Sequence, residues 1–458
     1  MAEYLSAQLA EWSAQLKYDD LTDDALEAAK RFLYDSLGCA FGGARTADCG
    51  IAERLIKSKQ AAEQATVFVS GMRTHVIEAS FLNALMIRAM DYNDIYWKQD
   101  PSHPSDIIPA AMTICEWKGL SGRDLILGIV LGHEIEMRLC EFALPGIRER
   151  GWHHATLTAY AAPLVAGRML GLDPQKMQHA LGISACHHFT LGAAVAGKLS
   201  MMKNTVDPMA TRAGVEGALL AEAGYTGPEN VLDGKEGMFH CLGPDWDPSK
   251  LTGGLGDGFK IADCGMKAYP TEALTHAPIT AVLYILKENN LEADDVKEVH
   301  IESIARAADI LSDPSKYDPQ SKETADHSLP YCIAAALARG KVTPEEFTEE
   351  AIFDSKLRAQ LNKVKVVANP EFEKLFPKIQ PCKVTITISD GRKLEKRVDI
   401  PKGDPRDPMT AEELRVKFDA LAGPSFTSER RGEIRRAVFE LEKMDRAAEL
   451  AQLCTGDI

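Results

Sequence analysis

The sequence predicts a mainly α fold: a large all-helical domain formed by both chain ends, with a smaller α+β domain between them. Three observations carry this. From the start to about residue 260, apolar residues recur at helical spacing with almost no strand-like alternation. Beyond Cys264 the character changes, and 296–304 and 383–400 alternate as half-buried strands do. After Pro401 and Pro405 the helical period returns. The expected division is 1–264 for the first part of the helical domain, 265–400 for the α+β domain, and 401–458 for helices that rejoin the first domain.

In chain order, Thr22 precedes a stripe of Leu26, Ala29, Leu33 and Leu37 that Gly42–Gly43 ends: an N-cap, an apolar face and a stop. The run 76–90 is apolar nearly all round and should be buried. Further helices fit 107–118, 122–140, 155–170, 174–186 and 208–224, several of them dense in Ala, Gly and Ser, which permits close packing. In the second domain, helices fit 273–288 and 328–339, and a strand fits 296–304. The stretch 383–400 reads as a hairpin with Asp390–Gly391 as a type I′ turn. Thr410 with Glu413 is a capping box that reopens the helical pattern.

The 458 residues, 45% of them apolar, suffice for a large core without disulfide or metal staples. A formal charge of −15 argues against nucleic acid and anionic membranes as partners. The one basic cluster, Arg430, Arg431, Arg435 and Arg436, is interleaved with Glu429, Glu433 and Glu440 and reads as a solvated helix face. No apolar run reaches the ~18 residues of a membrane span. The opening MAEYLSAQLAEWSAQLKYDD has neither signal nor transit character, so a cytoplasmic location is expected. The ten cysteines show no zinc or iron–sulfur spacing and read as reduced thiols.

Three polar constellations interrupt the helical pattern. Residues 91–106 carry Asp91, Asp94, His103, Ser105 and Asp106 between two apolar helices, with Pro101 and Pro104 stiffening the backbone around His103. A stiff segment with a histidine and carboxylates suits a preorganised acid/base site. Gly151-Trp-His153-His154 opens the helix at 155, where free amides and the helix dipole favour an anion. Lys198 and Lys203 stand just before helix 208–224, where a lysine can supply a point charge to a carboxylate. Asp326–His327–Ser328 is not a hydrolase triad, because three adjacent residues do not converge. The G-x-S-x-G, H-E-x-x-H and P-loop motifs are absent.

Taken together, MDYNDIYWKQDPSHPSD (90–106), GWHHATLTAYAAPLVAGRMLGL (151–172), KLSMMKNTVDPMATRAGVEGALLAEAGYTGP (198–228), KAYPTEALTHAPITAV (267–282), KYDPQSKETADHSLPYCIAAALARG (316–340) and PKGDPRDPMTAEELRVKF (401–418) resemble the MmgE/PrpD family. That family includes 2-methylcitrate dehydratases, cis-aconitate decarboxylases and iminodisuccinate epimerases. The resemblance implies a helical domain with an α+β lid, an active site between them, a homodimer, and no metal or other cofactor. It also implies Asp91, His103, His153 and Lys203 as catalytic residues, and His154, Tyr317, His276 and Ser105 as substrate contacts. His327 matches a second recurring lid histidine.

The activity expected from the resemblance is dehydration of 2-methylcitrate, and of citrate as a poorer substrate. Ile95 stands where many members carry Thr, Val206 and Asp207 stand near where the decarboxylase branch carries a His, and the Asp91-to-His103 spacing resembles the longer first motif of the dehydratases. The alternatives are cis-aconitate decarboxylation or iminodisuccinate epimerisation within the family, and a non-catalytic helical binding protein outside it. Dehydration beside a carboxylate needs a base for the carbon proton, an acid for the leaving hydroxyl and a cation for the developing charge. Lys203 with His153 is the expected cationic clamp, and His103, oriented by Asp91, the expected acid/base. The partner expected is a small anionic di- or tricarboxylate.

Overall fold

Sequence periodicity translates into helices directly. The computed structural model describes residues 4–243 and 245–457. Among the described residues, nine helices run in order through the first part of the chain: α1 (Leu5–Gln15), α2 (Asp23–Gly43), α3 (Ala47–Lys57), α4 (Val76–Arg88), α5 (Ile108–Lys118), α6 (Gly122–Leu139), α7 (Ala155–Leu170), α8 (Pro174–His187) and α9 (Met202–Glu222). The fold is mainly α with small sheets.

The chain forms two compact units. One contains the residues up to 197, 201–264 and those from 410 onward; the other contains 198–200 and 265–409. In the first unit α7 packs against α8 and α9. The small residues allow this approach: a Cβ on Gly214 of α9 would stand 2.5 Å from Ala162 Cβ of α7. The run 76–88 is buried almost all round, as its composition demands. Late in the chain, Thr410 and Glu413 close a capping box on the helix Ala411–Ala422.

The second unit carries a four-stranded sheet in the order Val364–Ala368, Val296–Ser303, Cys382–Ile388, Lys393–Val398. The first pair is parallel and the other two antiparallel. Val299, Ile301, Val384 and Ile386 point to the buried face, which the helix His276–Asn289 covers.

Three local expectations are corrected. The helix expected from Pro208 begins earlier, at Met202, and holds Pro208 inside it. Proline favours a first-turn position, and inside the helix it forgoes the bond its missing N–H would give to the Asn204 carbonyl. The turn at Asp390–Gly391 is not type I′, since that type needs positive φ at both residues and only Gly391 has it, at 92°. The Gly391 N–H donates to Ile388 O (2.9 Å), closing a three-residue loop with Gly391 as the left-handed residue. Finally, the segment 91–106 is not wholly loop. Asp94–Trp97 and Pro101–Ser102 pair antiparallel, and a 3₁₀ turn follows over Pro104–Ile107. Among the described residues, no helix is long and apolar enough to cross a membrane.

Candidate active site

The site is built where α4 ends. Its last residue, Arg88, is the single cation of a mostly apolar helix and is 3% exposed. A buried guanidinium needs carboxylates, and three converge on it. Arg88 Nη1 donates to Asp91 Oδ1, while its Nε lies 3.6 Å from both Asp106 Oδ2 and Asp207 Oδ2. Burial opposes the Arg88 charge, but Asp91, Asp207 and Asp106 outweigh it and hold the guanidinium charged. Asp91 itself sits in the left-handed region, φ 51°, which aspartate tolerates better than most side chains. Its other carboxylate oxygen lies 3.4 Å from Lys203 Nζ, at the second residue of α9.

The two remaining carboxylates part company. Burial, reinforced by Asp207, holds Asp106 well above the usual carboxylate range despite Arg88. Burial pushes Asp207 the same way, but His154, His153 and Arg88 overcome it and hold Asp207 below that range. Asp106 therefore holds a proton more tightly than Asp207 does. Asp106 is fixed by Asn93, whose amide donates to its Oδ1 (3.0 Å).

His103 is 5% exposed and its Nδ1 lies 2.6 Å from the Asp94 carbonyl oxygen. Nδ1 must donate there, which leaves Nε2 as the nitrogen that exchanges a proton. The His103 ring stands 5.3 Å from that of His154, and His154 Nε2 is 3.4 Å from Asp207 Oδ1. Asp207 is therefore a carboxylate beside the histidine pair.

His153 is neutral. Its Nδ1 accepts from the Ala155 N–H (3.1 Å), and burial together with His154 pushes it well below the usual imidazole value. This removes it from the cationic clamp expected with Lys203. The anion seat expected at the start of α7 is also taken: the Thr156 and Leu157 amides donate to the His153 and His154 carbonyls. Ser105 is fully buried, its hydroxyl donating to Asp94 Oδ1 (2.6 Å), so it braces the loop.

Three expected residues lie in the second unit. His276, buried at the start of its helix, has Nε2 3.3 Å from the Thr271 carbonyl. Tyr317 donates its hydroxyl to Val364 O (3.2 Å), and burial raises its pKa. His327 Nδ1 lies 2.6 Å from Asp326 Oδ1, whereas the Ser328 hydroxyl donates to Lys316 O (2.5 Å), so no triad forms.

Sequence reasoning missed the roles of Arg88, Asp106 and Asp207. The signal for Arg88 was available: a lone arginine closing an apolar helix immediately before an acidic segment. The pairing of Asp106 with Asp207 is long-range and leaves no local pattern. Among the described residues, two clusters hold His, Cys or Asp ligand atoms within 4.8 Å of one another: His153 with His154 and Asp207, and Asp94 with His133 and Cys264. In the first, the Arg88 charge beside Asp207 and the engaged Nδ1 of His153 disfavour a cation.

A buried array of one guanidinium, one ammonium, paired carboxylates and adjoining imidazoles on a helical frame suits proton-transfer chemistry on a small acid. The chain belongs to the MmgE/PrpD family: the model of the family's N-terminal domain matches residues 7–250 and that of its C-terminal domain matches 269–443. It is similar to the cis-aconitate decarboxylase-like protein oryM of Aspergillus oryzae, at 28% identity over 99% of this chain and 98% of that protein. It is similar to the cis-aconitate decarboxylase of Homo sapiens, at 27% identity over 96% of this chain and 92% of that one. The 2-methylcitrate dehydratase of Cupriavidus necator is 22% identical over 85% of this chain and 84% of its own.

Proposed function

We propose that this chain decarboxylates an unsaturated tricarboxylate of the cis-aconitate kind. The observation that supports this best is similarity along the whole chain. Relatives named cis-aconitate decarboxylase align over 96–99% of it, and those named 2-methylcitrate dehydratase over 83–85%. The dehydration expected from the first motif is therefore set second.

The chemistry fits the site with few groups. The carboxylate on the saturated carbon leaves as CO₂, and its bonding pair becomes a double bond to the central carbon. The former double-bond pair takes a proton at the far carbon, giving methylidenesuccinate. One proton is consumed and one CO₂ released. His103 delivers that proton from Nε2, its Nδ1 being held by the Asp94 carbonyl. Charge gathers on the carboxylate next to the protonated carbon, and Lys203, aimed by Asp91, meets it there. His154, held by Asp207, stands beside His103 to restore the proton.

Turnover of cis-aconitate in D₂O, followed by ¹H and ²H NMR, tests this. The expected product is methylidenesuccinate carrying one deuterium on its saturated CH₂, with none in the vinyl group. Absence of CO₂ release and of any vinyl product would reject decarboxylation.

A further inference from the structure

The second histidine cluster meets the His103 loop through Asp94. His133 of α6 is wholly buried, and its Nδ1 lies 2.9 Å from the Ile129 carbonyl oxygen one turn earlier. Nδ1 must donate there, so in the neutral ring Nε2 is a bare lone pair. That Nε2 has no hydrogen-bond partner and faces Asp94 Oδ2 at 3.4 Å. With the ring neutral, two acceptors are thus aimed at each other in a buried position, and a positive species between them, a proton or a metal ion, satisfies both. Cys264 completes the group, with Sγ 3.7 Å from the same Asp94 oxygen.

These separations match the edges of a tetrahedron around a metal. With Zn–N and Zn–O near ~2.0 Å and Zn–S near ~2.3 Å, the N···O edge is about 3.3 Å and the S···O edge about 3.5 Å. The outer contacts that orient metal ligands are also in place. A backbone carbonyl holds the far nitrogen of His133, and the Ser105 amide (2.9 Å) and hydroxyl (2.6 Å) hold the Asp94 carboxylate. A thiolate and a carboxylate would neutralise a divalent ion, which removes the cost of burying charge.

We propose that Asp94 Oδ2, His133 Nε2 and Cys264 Sγ form a site for one divalent cation of the zinc class, its fourth position filled by water. Binding releases the Cys264 thiol proton and forms the S–metal bond. The ion is not the reaction's cofactor. It pins Asp94, whose own carbonyl holds His103, so occupancy stiffens the loop that carries the proton donor.

Cobalt(II) titrated into the purified full chain tests the site. One equivalent should give a thiolate-to-cobalt charge-transfer band in the near ultraviolet with tetrahedral d–d bands, and Zn²⁺ should abolish both. Cys264→Ser should lose the ultraviolet band. A double variant of the two exposed thiols, Cys186→Ser with Cys241→Ser, should keep it. If Cys264→Ser fails to fold, X-ray absorption of the wild-type zinc form decides, with one sulfur ligand expected. A wild-type chain without the band, a band that survives Cys264→Ser, a band lost in the double variant, or two or more sulfur ligands would each overturn the proposal.

Discussion

Lys203 Nζ lies 3.4 Å from Asp91 Oδ2, with both side chains nearly sealed from solvent, and Asp91 holds Arg88 through its other oxygen. One carboxylate thus aims two cations that come from different helices, α4 and α9. The ammonium is fixed before substrate arrives, which is the condition under which a charge stabilises a transition state without reorganising.

Lys203→Met is expected to lower kcat by about 10²–10³-fold, the usual loss for one preorganised group. Asp91 keeps Arg88 as its counter-ion, so the melting temperature should fall by less than the ~3–5 kcal/mol of a broken buried pair implies. Lys203→Arg should rescue poorly, since a planar fork does not fit where a compact ammonium is 1% exposed. A rise in KM alone, with kcat unchanged, would make Lys203 a uniform binding contact.

Asp91→Asn separates charge from backbone. Asparagine tolerates the φ of 51° at this position, so the fold should persist. Turnover should drop by ~10²-fold as the aim of Lys203 is lost. Circular dichroism with steady-state kinetics checks both halves, and normal turnover in a folded variant would show that Lys203 needs no aiming.

His103→Ala should lose about 10²–10⁴-fold in kcat, the range for a general acid/base. The readout that distinguishes a proton donor from a structural residue is the pH profile. The wild-type limb that reports the donor should vanish in the variant, whereas a structural role would lower the profile without changing its shape.

Glu136 gives a stability prediction with a definite sign. Burial pushes its carboxyl up to about 8, against the Ser102 and Thr158 hydroxyls that donate to it. The folded protein therefore holds a proton that the unfolded chain gives up near ~4.3. This contribution is complete below that value and fades as pH rises to about 8, at up to ~1.4 kcal/mol per pH unit. Glu136→Gln should lose this dependence, matching the wild type near pH 5 and exceeding its melting temperature above pH 8. Parallel melting curves across that range would expose a Glu136 that is already ionised.

The fold was legible where one period ran uninterrupted. The helix expected at 155–170 is the one observed, because its apolar residues face the core on every side. It failed where one residue type suggested a boundary, as Pro208 did for α9. In the site, Asp91, His103 and Lys203 stood out because polar residues interrupt apolar helices. His153 misled because sequence shows a histidine pair but not which member is buried neutral. Asp207, read only as a departure from a family motif, turns out to be the carboxylate that holds His154. The order of the two readings changed for a related reason: similarity along the whole chain supports the decarboxylase alternative better than a few positions in one motif support the dehydratase reading.

The central claim is decarboxylation, and a competition experiment tests it most directly. Purified enzyme is given cis-aconitate and 2-methylcitrate together at equal concentration, and both are followed by ¹H NMR in one tube. Cis-aconitate is expected to be consumed first, with vinyl signals of methylidenesuccinate growing as CO₂ is released. Preferential loss of 2-methylcitrate to an unsaturated tricarboxylate, with no vinyl signal and no CO₂, would contradict it.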